Sequence, residues 1–415
     1  MKQKCDYINV MIVIKQQKIE KLQEYKKSLI YEYVTGKKEV VQMANNAYKE
    51  YEKMLYSYAN ESILSEDVVN ELFSELLKVL PNNGKLYKYK ALSTFHLDEL
   101  EDKYVWFSSA KNLNDKKDCT FNVLFPKEME ALVKFFLKDD NYRKFLATSL
   151  HSGLAKFCRD LTLTMVEDAL KCFSGNGPKL ANLQFDAFCK KYRLNKSQKQ
   201  LLLQTSQLYR IVEPSDQLIR NIVGRMFNQM QEVRNSMHIL SLTTSYDKDS
   251  MWAYYCNNEG ICIEYDFARI NTAALKRVFI NTQKVRYGKK KKFSIVELFK
   301  SKIYNDHLVE SEKMIFEQLL TKEKSWRAEE EWRTIINDRG NTTGSKIPAD
   351  IVSAVYLDYS ILQKDKAQQI ISLAQTNKWA IYIRYFSELE GQYRYVELED
   401  LPKLSKIENW TRFSS

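Results

Sequence analysis

The sequence predicts an α+β protein, a mixed β core interrupted by a large helical insertion and preceded by an N-terminal helical segment. Three observations carry this expectation. Apolar residues recur at three- and four-residue spacing over much of residues 16–80 and 127–235, the period of an amphipathic helix. Around those stretches lie short runs rich in aromatic and β-branched residues, such as "KLYKYKAL", "KYVWFSSA", "GICIEYDF" and "WAIYIRYF", which read as strands. Only 11 glycines and 6 prolines punctuate 415 residues while 44% are hydrophobic, so the chain can bury a sizeable core and fold throughout.

The elements follow in order. Ile19, Leu22, Tyr25, Leu29, Ile30 and Tyr33 form one helical stripe over residues 16–40, and Gly36 with Lys37 and Lys38 predicts its end. Helices are expected over 41–58 and 65–80, the second capped by Ser65 and opened by Glu66 and Asp67. "PNNG" (81–84) is a turn, after which strand, short helix from Ser93 and strand are expected. Residues 127–235 are helical, divided by "SGNGPK" (174–179). Strands return at "MHILSLTTS" (237–245) and 260–267, and residues 294–321 are helical again. "SAVYLDYS", a helix over 361–376, "WAIYIRYF" and "YRYVEL" close the pattern. The expected divisions are 1–44, a helical lead-in at 45–83, an α+β core at 84–126 and 236–415, and the insertion at 127–235.

Composition excludes several classes. Seven scattered cysteines without a CxxC pair, and only four histidines, argue against a zinc site or a disulfide scaffold and point to a reducing, cytoplasmic compartment. "INVMIVI" (8–14) is too short to span a bilayer, so no membrane helix is expected. The net charge of +11 suits anionic partners. "RYGKKKKF", with Lys289, Lys290, Lys291 and Lys292, reads as a solvated loop or as a nucleic-acid phosphate contact, and it lacks the residues for base readout. Neither a dinucleotide-binding glycine fingerprint, a Walker loop nor a nucleophile elbow occurs.

"KSWRAEEEWRTI" (324–335) is the most informative stretch. Returning strands on both sides predict a strand over Glu329 to Ile336. Alternation then places Glu329, Glu331 and Arg333 on one side, and Glu330, Trp332 and Thr334 on the other. Two carboxylates would line one wall. The same residues could form surface ion pairs, or, with Asp338 and a lysine, a metal-nuclease site, although no paired acidic motif accompanies them upstream.

Three resemblances add to this reading. Leu22, Tyr25, Lys26, Ser28, Leu29, Ile30 and Val34 to Lys37 resemble the end of the long helix in specificity subunits of type I restriction–modification enzymes. That implies a docking helix for restriction–modification or defence-complex subunits, or a remnant of such a gene. "LYKY" (86–89), "WFSSAKNLND" (106–115), "MWAYYCNNEGICIEYDF" (251–267) and "KEKSWRAEEEWR" (322–333) resemble the bacterial domain of unknown function family twenty-nine seventy-one over about residues 85–400. Ala110, Lys116 and Lys117 depart from its pattern. Finally, Lys88 or Tyr89, the hydroxyl-rich "SLTTS" (241–245) and the Glu329/Glu331 pair follow one another as the parts of mono-ADP-ribosyltransferases do. This resemblance implies NAD as substrate, a catalytic Glu331, and NAD contacts from Lys88 or Tyr89, Thr243 and Ser245; beside it, Glu329 on the same face is expected to orient or deprotonate the acceptor, and Trp252, Tyr254 and Tyr255 are expected to stack on nicotinamide or adenine, or else to belong to the core. The implied role is a phage-defence or toxin effector; the alternative is a non-enzymatic adaptor or DNA-associated accessory protein.

Overall fold

The computed structural model describes residues 37–58, 63–123, 125–137, 141–154, 160–173, 178–211, 216–298, 308–341 and 343–404. The specificity-subunit-like stretch lies outside them as far as residue 36. Lys37 and Lys38, expected to follow a helix stop, instead open helix α1 (Lys37–Ser57). Helix α2 (Glu66–Val79) starts where its cap predicts, with the Ser65 hydroxyl accepting from the Val68 amide, and buries Val69, Leu72, Phe73 and Leu76 along one stripe. In the following turn Asn82, Asn83 and Gly84 all have positive φ, a conformation those residue types tolerate best.

Strand β1 (Lys85–Lys90), helix α3 (Thr94–Glu101) and strand β2 (Tyr104–Ser109) come next. Among the described residues six helices precede the next strand: α4 (Phe125–Phe136), α5 (Asn141–Leu154), α6 (Leu163–Phe173), α7 (Pro178–Lys191), α8 (Lys196–Ile211) and α9 (Asp216–Ser236). Then follow β3 (Met237–Leu242), α10 (Asp249–Cys256), β4 (Ile261–Asp266), α11 (Ala273–Phe279), β5 (Thr282–Lys284) and β6 (Arg286–Tyr287). The last part holds α12 (Leu308–Leu319), β7 (Thr321–Lys322), β8 (Trp332–Asn337), β9 (Gly344–Pro348), β10 (Val352–Asp358), α13 (Asp365–Asn377), β11 (Ala380–Ser387), β12 (Gln392–Glu397) and α14 (Leu401–Leu404). No helix among the described residues is long and apolar enough to cross a membrane.

Two five-stranded sheets organise these elements. The first runs β1-β4-β10-β11-β12 and is antiparallel except for the β10/β11 pair, which α13 connects as a crossover. The second runs β5-β8-β3-β2-β9 and is antiparallel throughout. An isolated bridge joins them: Tyr87 and Thr243 exchange backbone hydrogen bonds of 2.9 and 2.8 Å, tying the end of β3 to β1. Leu86, Leu240, Leu242, Ile263, Trp332 and Val355 from both sheets share the main apolar core with α2. The helices between β2 and β3 keep a second cluster of their own, including Ala147, Leu170, Phe185 and Leu202.

The glutamate stretch corrects one expectation. Lys324–Glu329 is a 3-10 turn, Glu330 takes a left-handed conformation at φ 47°, and the strand begins only at Trp332. Glu329 and Glu331 nevertheless face the same way, because the left-handed residue between them turns the chain instead of the strand pleat. Glu330 points away, to Thr244 and Lys248, and Trp332 enters the core.

Candidate functional site

A cavity of about 340 Å³ opens at the seam between the sheets, a volume near the lower end for small-molecule pockets. Four segments line it. β1 and the turn after it contribute Tyr87, Lys88, Tyr89 and Lys90, with His96 behind them. The turn after β2 contributes Asn112, Asn114, Asp115 and Asp118; β3 and its extension contribute Ser241 and Thr243. The fourth wall is Lys322, Trp326, Glu329 and Glu331, with Tyr255 from α10 beside it.

The carboxylate wall is built around buried cations. Arg333, fully buried on β8, grips Glu331 with two hydrogen bonds, Nε to Oε1 at 2.7 Å and Nη2 to Oε2 at 3.0 Å, and also pairs with Asp118. The Lys322 ammonium bridges Glu329 at 2.5 Å and Glu331 at 3.1 Å. Burial pushes the Glu331 carboxyl upward, but Arg333 and Lys322 outweigh it and hold the group well below the usual carboxylate range. Glu331 is therefore a fixed anion at neutral pH. Tyr255 donates its hydroxyl to Glu329 Oε1 at 2.6 Å.

The hydroxyl-rich segment clamps this wall. Thr243 donates to the Glu329 carbonyl at 2.5 Å, Thr244 donates to the Glu330 carboxylate at 2.5 Å, and Ser241 hydrogen bonds to Glu331. The segment thus sets the shape of the glutamate turn, as its place beside β8 allows.

Lys88 supplies the opposite charge. Its ammonium donates to the Ser241 carbonyl at 2.9 Å, and among the described residues no carboxylate lies within ion-pair distance of it. Burial lowers its pKa to about 8, assisted by Lys90, while Glu99 and Glu331 oppose the shift. Lys90 differs, being paired with buried Glu99. His96 accepts or donates at Nδ1 to Ala91; because a carbonyl can only accept, the ring donates there and Nε2 is left as an acceptor.

Of the residues expected at the site, Lys88, Tyr89, Thr243, Tyr255, Glu329 and Glu331 therefore line the cavity. Trp252, Tyr254 and Ser245 do not. Trp252 is fully buried in an apolar cluster, donates its indole N–H to the Tyr246 carbonyl and packs under the Arg384 guanidinium, so no ligand can stack on it. Ser245 turns to Asp247 instead. Sequence reasoning passed over Asp118 and gave Lys322 and Ser241, though within the quoted motifs, no role of their own. The signal for Lys322 was its place four residues before Trp326 at the head of the Glu-x-Glu stretch; Asp118, 215 positions from its partner Arg333, gave none. Among the described residues no group of three or more His, Cys, Asp and Glu side chains is placed to hold a metal ion. In the basic loop, Lys290 donates to the Lys117 and Thr120 carbonyls and Lys291 pairs with Glu317.

Fold and site define an α+β protein with a charge-lined cavity where its sheets meet. Residues 251–334 match the model of the family described as "Protein of unknown function (DUF2971)". This span holds the carboxylate wall and Tyr255, and leaves Lys88 and the turn after β2 outside it. No curated protein and no solved structure matches the chain.

Proposed function

We propose that the cavity binds NAD and cleaves its nicotinamide–ribose bond, releasing nicotinamide and passing ADP-ribose to water or to another acceptor. The observation that carries this reading is the meeting of Lys88, the hydroxyl segment and Glu331 around one hollow, although 153 and more positions separate the first from the other two. Bond cleavage builds positive charge on the ribose, and a fixed anion beside it lowers that barrier. Glu331 supplies the anion. Glu329, hydrogen-bonded to Tyr255, is placed to orient the attacking hydroxyl or water. Among the described residues Lys88 has no carboxylate partner, and so it offers its charge to the pyrophosphate. The cavity has room for one nucleoside-sized half of a dinucleotide, so the other half would extend to its mouth.

The test is incubation with NAD, following free nicotinamide chromatographically. Wild type should release it, while Glu331→Gln, checked for an unchanged fold by circular dichroism, should lose at least about 100-fold in rate. Equal rates for the two proteins, or no nicotinamide and no calorimetric NAD binding by wild type, would overturn the reading.

One observation favours a second reading. Both Glu331 oxygens are already engaged by Arg333 and Lys322, as in a buried ion cluster that only fixes a fold. In that case the protein is a non-enzymatic adaptor, and deleting residues 1–44 should abolish association with restriction–modification subunits while no NAD is consumed.

A further inference from the structure

The mouth of the cavity carries a surface that the proposed chemistry does not use. Tyr254 is 54% exposed, although it belongs to the α10 stretch whose neighbours Trp252 and Cys256 are buried. Its ring stands edge-on to Tyr255 at 4.9 Å and to Trp326 at 5.4 Å, and those two residues line the cavity. The Lys322 ammonium lies 4.7 Å from the centre of the Trp326 ring, which fixes that ring from the inside. An exposed aromatic group thus continues the cavity wall outward.

Cations outnumber unpaired acids on the turns that line the cavity beside this group. The two turns that frame the cavity, residues 110–118 and 324–329, carry exposed Lys111, Lys116, Lys324 and Arg327. Among the described residues none of these four has an ion-pair partner. The exposed acids nearby are already engaged: Glu323 faces Lys117 at 3.8 Å and Glu330 pairs with Lys248 at 2.8 Å. Asp115, in the cavity lining, accepts from the Lys117 amide and keeps its charge. Unpaired cations on the turns that line the cavity, together with the open face of Tyr254, match the two needs of a single strand, phosphate neutralisation and a surface on which bases stack.

We propose that the rim formed by Tyr254, Trp326, Lys111, Lys116, Lys324 and Arg327 binds single-stranded nucleic acid. Duplex suits the rim poorly, because its bases present no face for Tyr254. The basic loop at Lys289 to Lys292 is not the main contact, since Lys290 and Lys291 are held by the protein itself. The proposal does not depend on NAD cleavage. It can hold if that reading fails and fail if it holds.

Fluorescence anisotropy of the full chain with labelled oligonucleotides of about 12 nucleotides tests it, using single-stranded DNA, single-stranded RNA and duplex DNA as separate arms. At least one single strand should bind more tightly than duplex, and the tighter of the two identifies the natural strand. Tyr254→Ala should weaken that binding roughly 5- to 150-fold. Lys111→Ala/Arg327→Ala should weaken it and reduce the slope of log affinity against log salt by about 1.4. Lys289→Ala/Lys292→Ala serves as the control and should cost less than either rim variant. Duplex binding equal to single-strand binding, an unchanged Tyr254→Ala, or a larger loss from the control would each overturn the proposal. The residues changed are all exposed, so folding is not at stake.

Discussion

Lys88 and Glu331 face the same cavity with opposite charges, and each makes a distinct pH signature. Below about 8 the Lys88 ammonium is charged; as pH rises through that value the charge, and with it the proposed hold on an anion, is lost. For the proposed reaction, kcat/KM for NAD should therefore fall above about pH 8, since this ratio reports groups of the free enzyme. Lys88→Arg, whose guanidinium stays charged, should remove that limb even if the rate drops. Glu331 works in the opposite direction. Its folded-state pKa lies below the unfolded value of about 4.3, so its stabilisation is complete above that value and is lost as pH falls beneath it. Melting temperature should decline more steeply below about pH 4 for wild type than for Glu331→Gln. Arg333→Ala leaves Glu331 and Asp118 buried with Lys322 as the cation left between them and should cost about 3–5 kcal/mol in urea unfolding. These residues also mark what sequence could reveal. The two glutamates and Lys88 were legible from residue type and order, whereas Trp252 was misread because an aromatic at helical spacing looks the same whether it packs inward or meets a ligand.

At the scale of elements, strands were legible and the turn between them was not. Aromatic and β-branched runs marked β1, β2, β4, β10 and β11, where side-chain shape fits a pleated surface. The 3-10 turn at Lys324–Glu329 has no such signature, because its form depends on Thr243 and Thr244, about 85 residues away, holding the Glu329 carbonyl and the Glu330 carboxylate. A left-handed glutamate between two inward-facing glutamates is a tertiary product. Gly260 shows the converse, a residue type that states its own reason. A methyl group added there would lie 2.3 Å from the Lys90 carbonyl oxygen and 2.7 Å from Cys256 Cβ, so α10 and β1 can approach only across a glycine. Gly260→Ala should separate them, destabilise the protein by about 1–3 kcal/mol in urea unfolding and weaken ligand binding through displacement of Lys88 and Lys90. Unchanged stability would mean that β1 yields without cost.

For the whole molecule, the arrangement separates the parts that shape the cavity from the helices inserted between β2 and β3. Each cavity wall hangs on the two sheets, and the bridge between Tyr87 and Thr243 holds the walls together. The helices α5 to α8 bury Ala147, Leu170, Phe173, Phe185 and Leu202 among themselves, in a cluster apart from the main core. Their periodicity made them legible as helices, but nothing in that period says against what they pack. Because contact between the two clusters is not what stabilises either, damage to one should remain local. Phe185→Ala removes a ring that is 2% exposed and stacks on Phe188 at 5.6 Å, a loss of about 3–5 kcal/mol for the helical cluster. Amide hydrogen exchange should quicken across residues 141–211 while β3 and β8 keep their wild-type protection. Faster exchange in β3 and β8 as well would show that the helices and the sheets unfold as one unit, and that the cavity depends on the insertion for its rigidity.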